Sequence, residues 1–168
     1  MEAIEVLTRD ILPDLQPVRR PSAERYKKPA AVLDLERLAT IKAKEKKLCP
    51  ALAKRIFRDD NAAGLTKCIV KYIELRGGFA TRINNQGTFN RKLGRFIPST
   101  SKKGLPDVQA LVNGVFLAIE VKIKRDSQSE HQKKIQSEII SRGGHYFVAR
   151  DFSTFKEWLD SLFNFNNG

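Results

Sequence analysis

The stretch GLPDVQALVNGVFLAIEVK, residues 104–122, decides the fold. At its centre stands Asn113-Gly114, the strongest short-range signal for a two-residue hairpin turn. With that turn in place, Val112 pairs with Val115, Val108 faces Ile119, and Asp107 faces Glu120. Directly opposed residues on neighbouring strands have Cβ atoms about 4.5–5.5 Å apart, and like charges so placed destabilise a sheet. The alternation sorts the hairpin into two faces. Val108, Ala110, Val112, Val115, Leu117, Ile119 and Val121 make a wholly apolar face that must meet the core. The other face carries Asp107, Gln109, Leu111, Phe116, Ala118, Glu120 and Lys122, with its charges gathered at the end away from the turn.

Two facing carboxylates escape repulsion by taking up a proton, by binding a cation, or by solvent screening. Lys122 brings a single positive charge. A hard divalent ion completes the account, since Mg²⁺ commonly takes one or two carboxylates plus phosphate and water. The backbone carbonyl of Val121 stands close enough in sequence to serve as a further ligand. A metal-acidified water beside a lysine suits attack on a phosphodiester, because metal and lysine together offset the charge that builds on the phosphoryl oxygens. The plain alternative is a surface salt bridge on an exposed edge. The register, the apolar opposite face and the basic segment preceding Asp107 weigh against it.

The rest of the chain frames this hairpin. At 168 residues it is long enough for one domain with a real core and an appendage. No run of about 18 apolar residues occurs, and the first residues, MEAIEVLTRD, lack an apolar signal core. A cytoplasmic location and no membrane partner are therefore expected. Cys49 and Cys68 lack metal-ligand spacing and read as reduced thiols. The net charge of +12 points to a polyanion partner, most often nucleic acid. The excess is +4 over residues 1–60 and +8 over residues 61–168, so it concentrates where the hairpin lies.

Residues 1–28, with Pro13, Pro17 and Pro21, read as a loosely ordered arm. Helical spacing runs from Ala30 to about Phe57, with Pro50 ending one helix and starting another. A helix then starts at Asp60-Asn61 and stops at Gly77-Gly78, and FATRINNQ, residues 79–86, reads as a strand. Residues 87–104 read as a long loop holding Arg91, Lys92, Arg95, Lys102 and Lys103 and no acid. After the hairpin, Ser127 or Ser129 caps a helix closed by Gly143-Gly144. HYFVARDF is a strand and STFKEWLDSLFNF an amphipathic helix with Phe155, Trp158, Leu159 and Leu162 inward. The expected division is a helical N-terminal extension over residues 1–59 and one α/β domain over residues 60–168.

GLPDV, then IEVK, then SEHQ resembles the PD-(D/E)xK nuclease superfamily, with the VRR-NUC-like and phage or Holliday-junction-resolvase-like branch the nearest in pattern. The resemblance covers about residues 60–158. It implies a restriction-endonuclease-like αβββαβ core with a mixed central sheet, in agreement with the element order above. It implies that Asp107 and Glu120 bind Mg²⁺ or Mn²⁺, that Lys122 positions the water or stabilises the transition state, and that Gln132 on the next helix belongs to the active site. Gln136 is a second glutamine one turn further on. Many members carry a first-helix glutamate as an additional ligand. The matching region here, DNAAGLTK, has none, and Asp60, Asn61 and Thr66 are its oxygen-bearing substitutes. The implied activity is metal-dependent endonucleolytic hydrolysis of DNA, branched or junction DNA included, in a bacterial or phage-infected cell. Dimers are common among relatives that cut both strands, which leaves a homodimer open. Arg82, Asn84, Arg91, Lys92, Arg95, Lys102, Lys103, Lys124 and Arg125 are the expected DNA contacts, holding phosphates without reading sequence. The rival readings are a DNA-binding module that keeps the fold without catalysis, and an assembly protein with a basic surface.

Overall fold

The computed structural model describes residues 26–45, 56–83, 88–97 and 102–165. The first 25 residues of the expected arm, all but the last two residues of the second helix begun by Pro50, Cys49, and Asn84 with its neighbour Asn85 lie outside the described residues. The elements run α1 (Ala30–Glu45), α2 (Ala62–Leu75), β1 (Phe79–Arg82), β2 (Thr88–Asn90), β3 (Arg95–Ile97), β4 (Val108–Val112), β5 (Val115–Val121), α3 (Glu130–Ser141), β6 (His145–Ala149) and α4 (Phe152–Phe163). Four strands form one mixed sheet in the order β1-β4-β5-β6. The first three are antiparallel to their neighbours, and β6 runs parallel to β5. A parallel neighbour needs a crossover, and α3 supplies it.

The hairpin register is the one the turn dictates. Val112 pairs with Val115 and Val108 with Ile119. Asn113 and Gly114 both have positive φ, 48° and 81°, as a type I′ turn requires. The alternation then decides the layers. Val108, Ala110, Val112, Leu117, Ile119 and Val121 are buried in one cluster with side chains of α1, α2 and α4. The opposite face changes character along its length. Leu111 and Phe116, near the turn, are exposed, whereas Ala118, Glu120 and Lys122 at the far end are buried.

The helices form for local reasons. Asn61 caps α2 by accepting from the Gly64 N–H at 2.9 Å, and Leu65, Ile69, Tyr72 and Ile73 make the stripe that meets the sheet. Asp151 caps α4 in the same way, and Trp158 of that helix stacks on Phe147 of β6 at 4.6 Å between centroids. Within the core Tyr72 donates to Asp160, a carboxylate also held by Lys156 at 2.8 Å. Burial pushes the Cys68 thiol up to about 12, so it is an inert core side chain.

Three expectations change. Residues 87–104 are not wholly loop, because β2 and β3 pair antiparallel as a second, two-stranded sheet. This ribbon buries none of its described side chains, so no apolar periodicity announced it. The strand starting at Phe79 ends at Arg82, short of the expected Gln86. Helix α1, assigned to an N-terminal extension, places Val32, Leu35 and Ala39 in the same core cluster as α2 and α4. Even Tyr26 is tied down, its hydroxyl donating to Asp59 at 2.6 Å. No helix among the described residues is long and apolar enough to cross a membrane.

Candidate active site

The site is assembled where β4 begins and β5 ends. The Val121 N–H donates to Oδ2 of Asp107 at 2.9 Å, which fixes the first carboxylate beside the second strand. Val121, expected to offer its carbonyl, thus meets Asp107 through its amide. Glu120 is 2% exposed, buried beneath the α3 side of the sheet. Its Oε1 accepts from Lys122 Nζ at 3.1 Å and from the Gln132 side chain at 2.5 Å. Its Oε2 is buried and has no hydrogen-bond partner among the described residues.

Helix α3 explains why Gln132 points where it does. Ser129 is the cap, and Ser129 with Gln132 forms a capping box. The Ser129 N–H donates to Gln132 Oε1 at 2.9 Å, so the amide nitrogen is turned to Glu120. One side chain therefore closes the helix and orients the carboxylate. Gln136 does not share this role, because it accepts from Gln128 at 3.0 Å. Gly104 locks the same corner from the other side. It has φ of 84°, and a Cβ there would stand 2.6 Å from the backbone carbonyl of His131. Only glycine lets the segment leading to Asp107 pass so close to the first turn of α3.

The electrostatics follow from burial. Desolvation pushes the Glu120 carboxyl up to about 7, the Asp107 charge adds to the rise, and Lys122 pulls the other way. Burial opposes the charge on Lys122, but Glu120 and Asp126 outweigh it and hold the ammonium above the ordinary lysine range. Asp126 lies 3.5 Å from Lys122 Nζ. It was not singled out in the sequence. The turn after β5 brings it back, with the Asp126 N–H donating to the Ile123 carbonyl at 3.1 Å.

A second residue was missed. Tyr146 of β6 pairs with Ala118 and shares the face of Glu120. Its hydroxyl is buried with no hydrogen bond of good geometry. Burial raises its pKa, and the charges of Glu120 and Asp107 raise it further, while the Gln128 amide acts in the opposite direction. The parallel register that brings this tyrosine over the carboxylates is invisible in a strand read alone.

The expected phosphate contacts divide. Arg82 pairs with Val108 and so starts from the core side of the sheet edge, not from the face of the acids. Lys102 is held by Glu138 at 2.7 Å. Arg91, Lys92, Arg95, Lys103, Lys124 and Arg125 are exposed. The substitutes for a first-helix acid are engaged locally. Asp60 is paired with Arg58, Asn61 caps α2, and Thr66 donates to the Ala62 carbonyl. Glu74 is paired with Lys71 near the far end of that helix.

Asp107 and Glu120 are suited to a divalent ion. A buried carboxylate oxygen with no donor is expensive, and a hard cation satisfies it. Among the described residues no group of three His, Cys, Asp or Glu side chains converges, so such an ion would take its remaining ligands from water or substrate.

No protein-family model and no curated protein matches the chain. Among solved structures, one described as a VRR_NUC domain is similar, with 21% identity and a TM-score of 0.45, over 59% of this chain and 94% of that one.

Proposed function

We propose that the chain is a divalent-metal-dependent deoxyribonuclease, an endonuclease of phage or mobile-element type that hydrolyses phosphodiester bonds in DNA. The observation that carries this reading is the bare, buried Oε2 of Glu120 beside Asp107 and Lys122. A surface salt bridge does not describe the pair, because the Lys122 and Glu120 side chains are only 8% and 2% exposed. Burying such a pair and leaving an oxygen unmet works against stability, which points to a role outside folding.

Mg²⁺ or Mn²⁺ bound there supplies an acidified water and a positive charge beside the phosphate. The protein's own part is positioning. The Val121 amide fixes Asp107, and Gln132 fixes Glu120. The Lys122 ammonium stands where charge builds on the phosphoryl oxygens. Exposed Lys124 and Arg125, just beyond β5, hold the DNA backbone on either side of the cleaved bond.

The test is cleavage of supercoiled, linear and branched DNA with Mg²⁺ or with chelator, beside Lys122→Ala. Cleavage that needs both metal and lysine is expected. That no third acid converges among the described residues favours one alternative, a DNA-binding module without catalysis. Binding without cleavage under any metal selects that alternative.

A further inference from the structure

The β2–β3 ribbon presents chemistry that phosphate binding does not use. Phe89 and Phe96 pair directly across it, and each is 59% exposed. They share one face of the ribbon, and Arg95, the residue before Phe96, lies on the other. Leu93 and Ile97 are exposed as well. Two phenylalanines outside the core cluster of the described residues gain little from facing each other. Solubility is no explanation, since the rings lower it.

Charge identifies what they meet. Residues 88–97 include Arg91, Lys92 and Arg95 and no acid. Neither Arg91 nor Arg95 has an acidic partner among the described residues. Aromatic faces set among cations are how proteins hold unpaired bases: the cations follow the backbone and the rings take the bases. The ribbon also stands near the carboxylates. The Ile83 N–H donates to the Asp107 carbonyl at 2.8 Å. Thr88 is five positions after Ile83, so the base of the ribbon lies within about 17 Å of that bond. That is a few nucleotides along a strand.

We propose that the ribbon is a stacking platform for unpaired bases, with Phe89 and Phe96 as its rings, and that it directs the protein to DNA having single-stranded segments beside a duplex. This rests on the nuclease reading for its substrate but is tested separately.

The experiment is fluorescence anisotropy in chelator, so that nothing is cut. The probes are a labelled single strand, a flapped duplex and a blunt duplex at one salt concentration. Phe89→Leu and Phe96→Leu keep apolar bulk and remove the ring. Each is expected to weaken single-strand and flap binding at least about fivefold, with blunt-duplex binding changed less than about twofold. Phe96→Trp restores the preference. Melting temperatures change little, because both rings are largely exposed and neither belongs to the core cluster. Equal loss on all three probes, no loss on any, or a fall in melting temperature overturns the proposal. So does a change in sedimentation without a change in DNA affinity, which would assign the rings to a contact with another protein chain. Preference without cleavage in Mg²⁺ leaves the platform standing and removes the nuclease. Cleavage without preference does the reverse.

Discussion

Glu120→Gln should stabilise the metal-free protein, and by an amount that depends on pH. In the folded chain burial holds the Glu120 carboxyl near 7, against an ordinary value of 4.5. Below pH 4.5 the carboxyl is protonated both folded and unfolded, and its contribution is fully present. Between 4.5 and 7 the unfolded chain gives up the proton while the folded one keeps it, so stability falls as pH rises. Above 7 the loss is complete, at about 3 kcal/mol. Glutamine fills the same space without the charge, so the variant lacks this slope. The assay is urea unfolding of both proteins in chelator at intervals from pH 4.5 to 8.5. The difference between them cancels every titrating group that Glu120 does not touch, leaving Glu120 with its neighbours Asp107, Lys122 and Tyr146. The variant should gain about 3 kcal/mol on the wild type across that range. Mn²⁺ at a hundred times its dissociation constant should return about 2.7 kcal/mol to the wild type and nothing comparable to the variant. A stability difference that stays flat with pH refutes the reasoning, because the carboxylate would then be solvated or fully paired.

Gly104→Ala should lower stability by about 1–3 kcal/mol in thermal unfolding, since its φ of 84° is strained for alanine and its Cβ meets the His131 backbone at 2.6 Å. Tyr146→Phe should leave chelated protein as stable or up to about 1 kcal/mol more so, because among the described residues the buried hydroxyl has no hydrogen bond of good geometry to lose. A clear destabilisation by chemical unfolding would assign that hydroxyl a structural bond. Gln132→Ala removes both the capping box and a donor to Glu120, and should lower stability by about 1–2 kcal/mol while Gln136→Ala leaves Glu120 unaffected. Comparing the two variants in Mn²⁺ calorimetry separates the roles of the glutamines.

The hairpin was legible because every local signal agreed. Asn113-Gly114 set the turn, the turn set the register, and the register set both the core face and the approach of Asp107 to the Glu120–Val121 end of β5. Gln132 was legible through the resemblance, yet its geometry also had a local signature in the capping box from Ser129. What escaped depends on tertiary placement. Tyr146 reaches the carboxylates only because β6 lies parallel to β5. Asp126 returns to Lys122 through a turn with no strong sequence mark. The β2–β3 ribbon carries its alternation on surface side chains, where solvent-facing aromatics among cations look the same as loop.

These differences sort the molecule by what each part must hold still. Asp107, Glu120 and Lys122 sit on or beside strands whose other face is the core, and Gly104 and the capping box fix the first turn of α3, whose Gln132 reaches Glu120. Such a corner has little freedom to rearrange around an ion, and the Glu120 oxygen and Tyr146 hydroxyl that lack a hydrogen bond among the described residues are held on its strands. The cations, by contrast, lie on turns and on the ribbon, exposed and free of the core. A backbone polyanion varies in path, and its holders can afford to follow it. Buried carboxylates on the sheet and exposed cations on its turns and ribbon are the division of labour that the proposed hydrolysis of a phosphodiester would use.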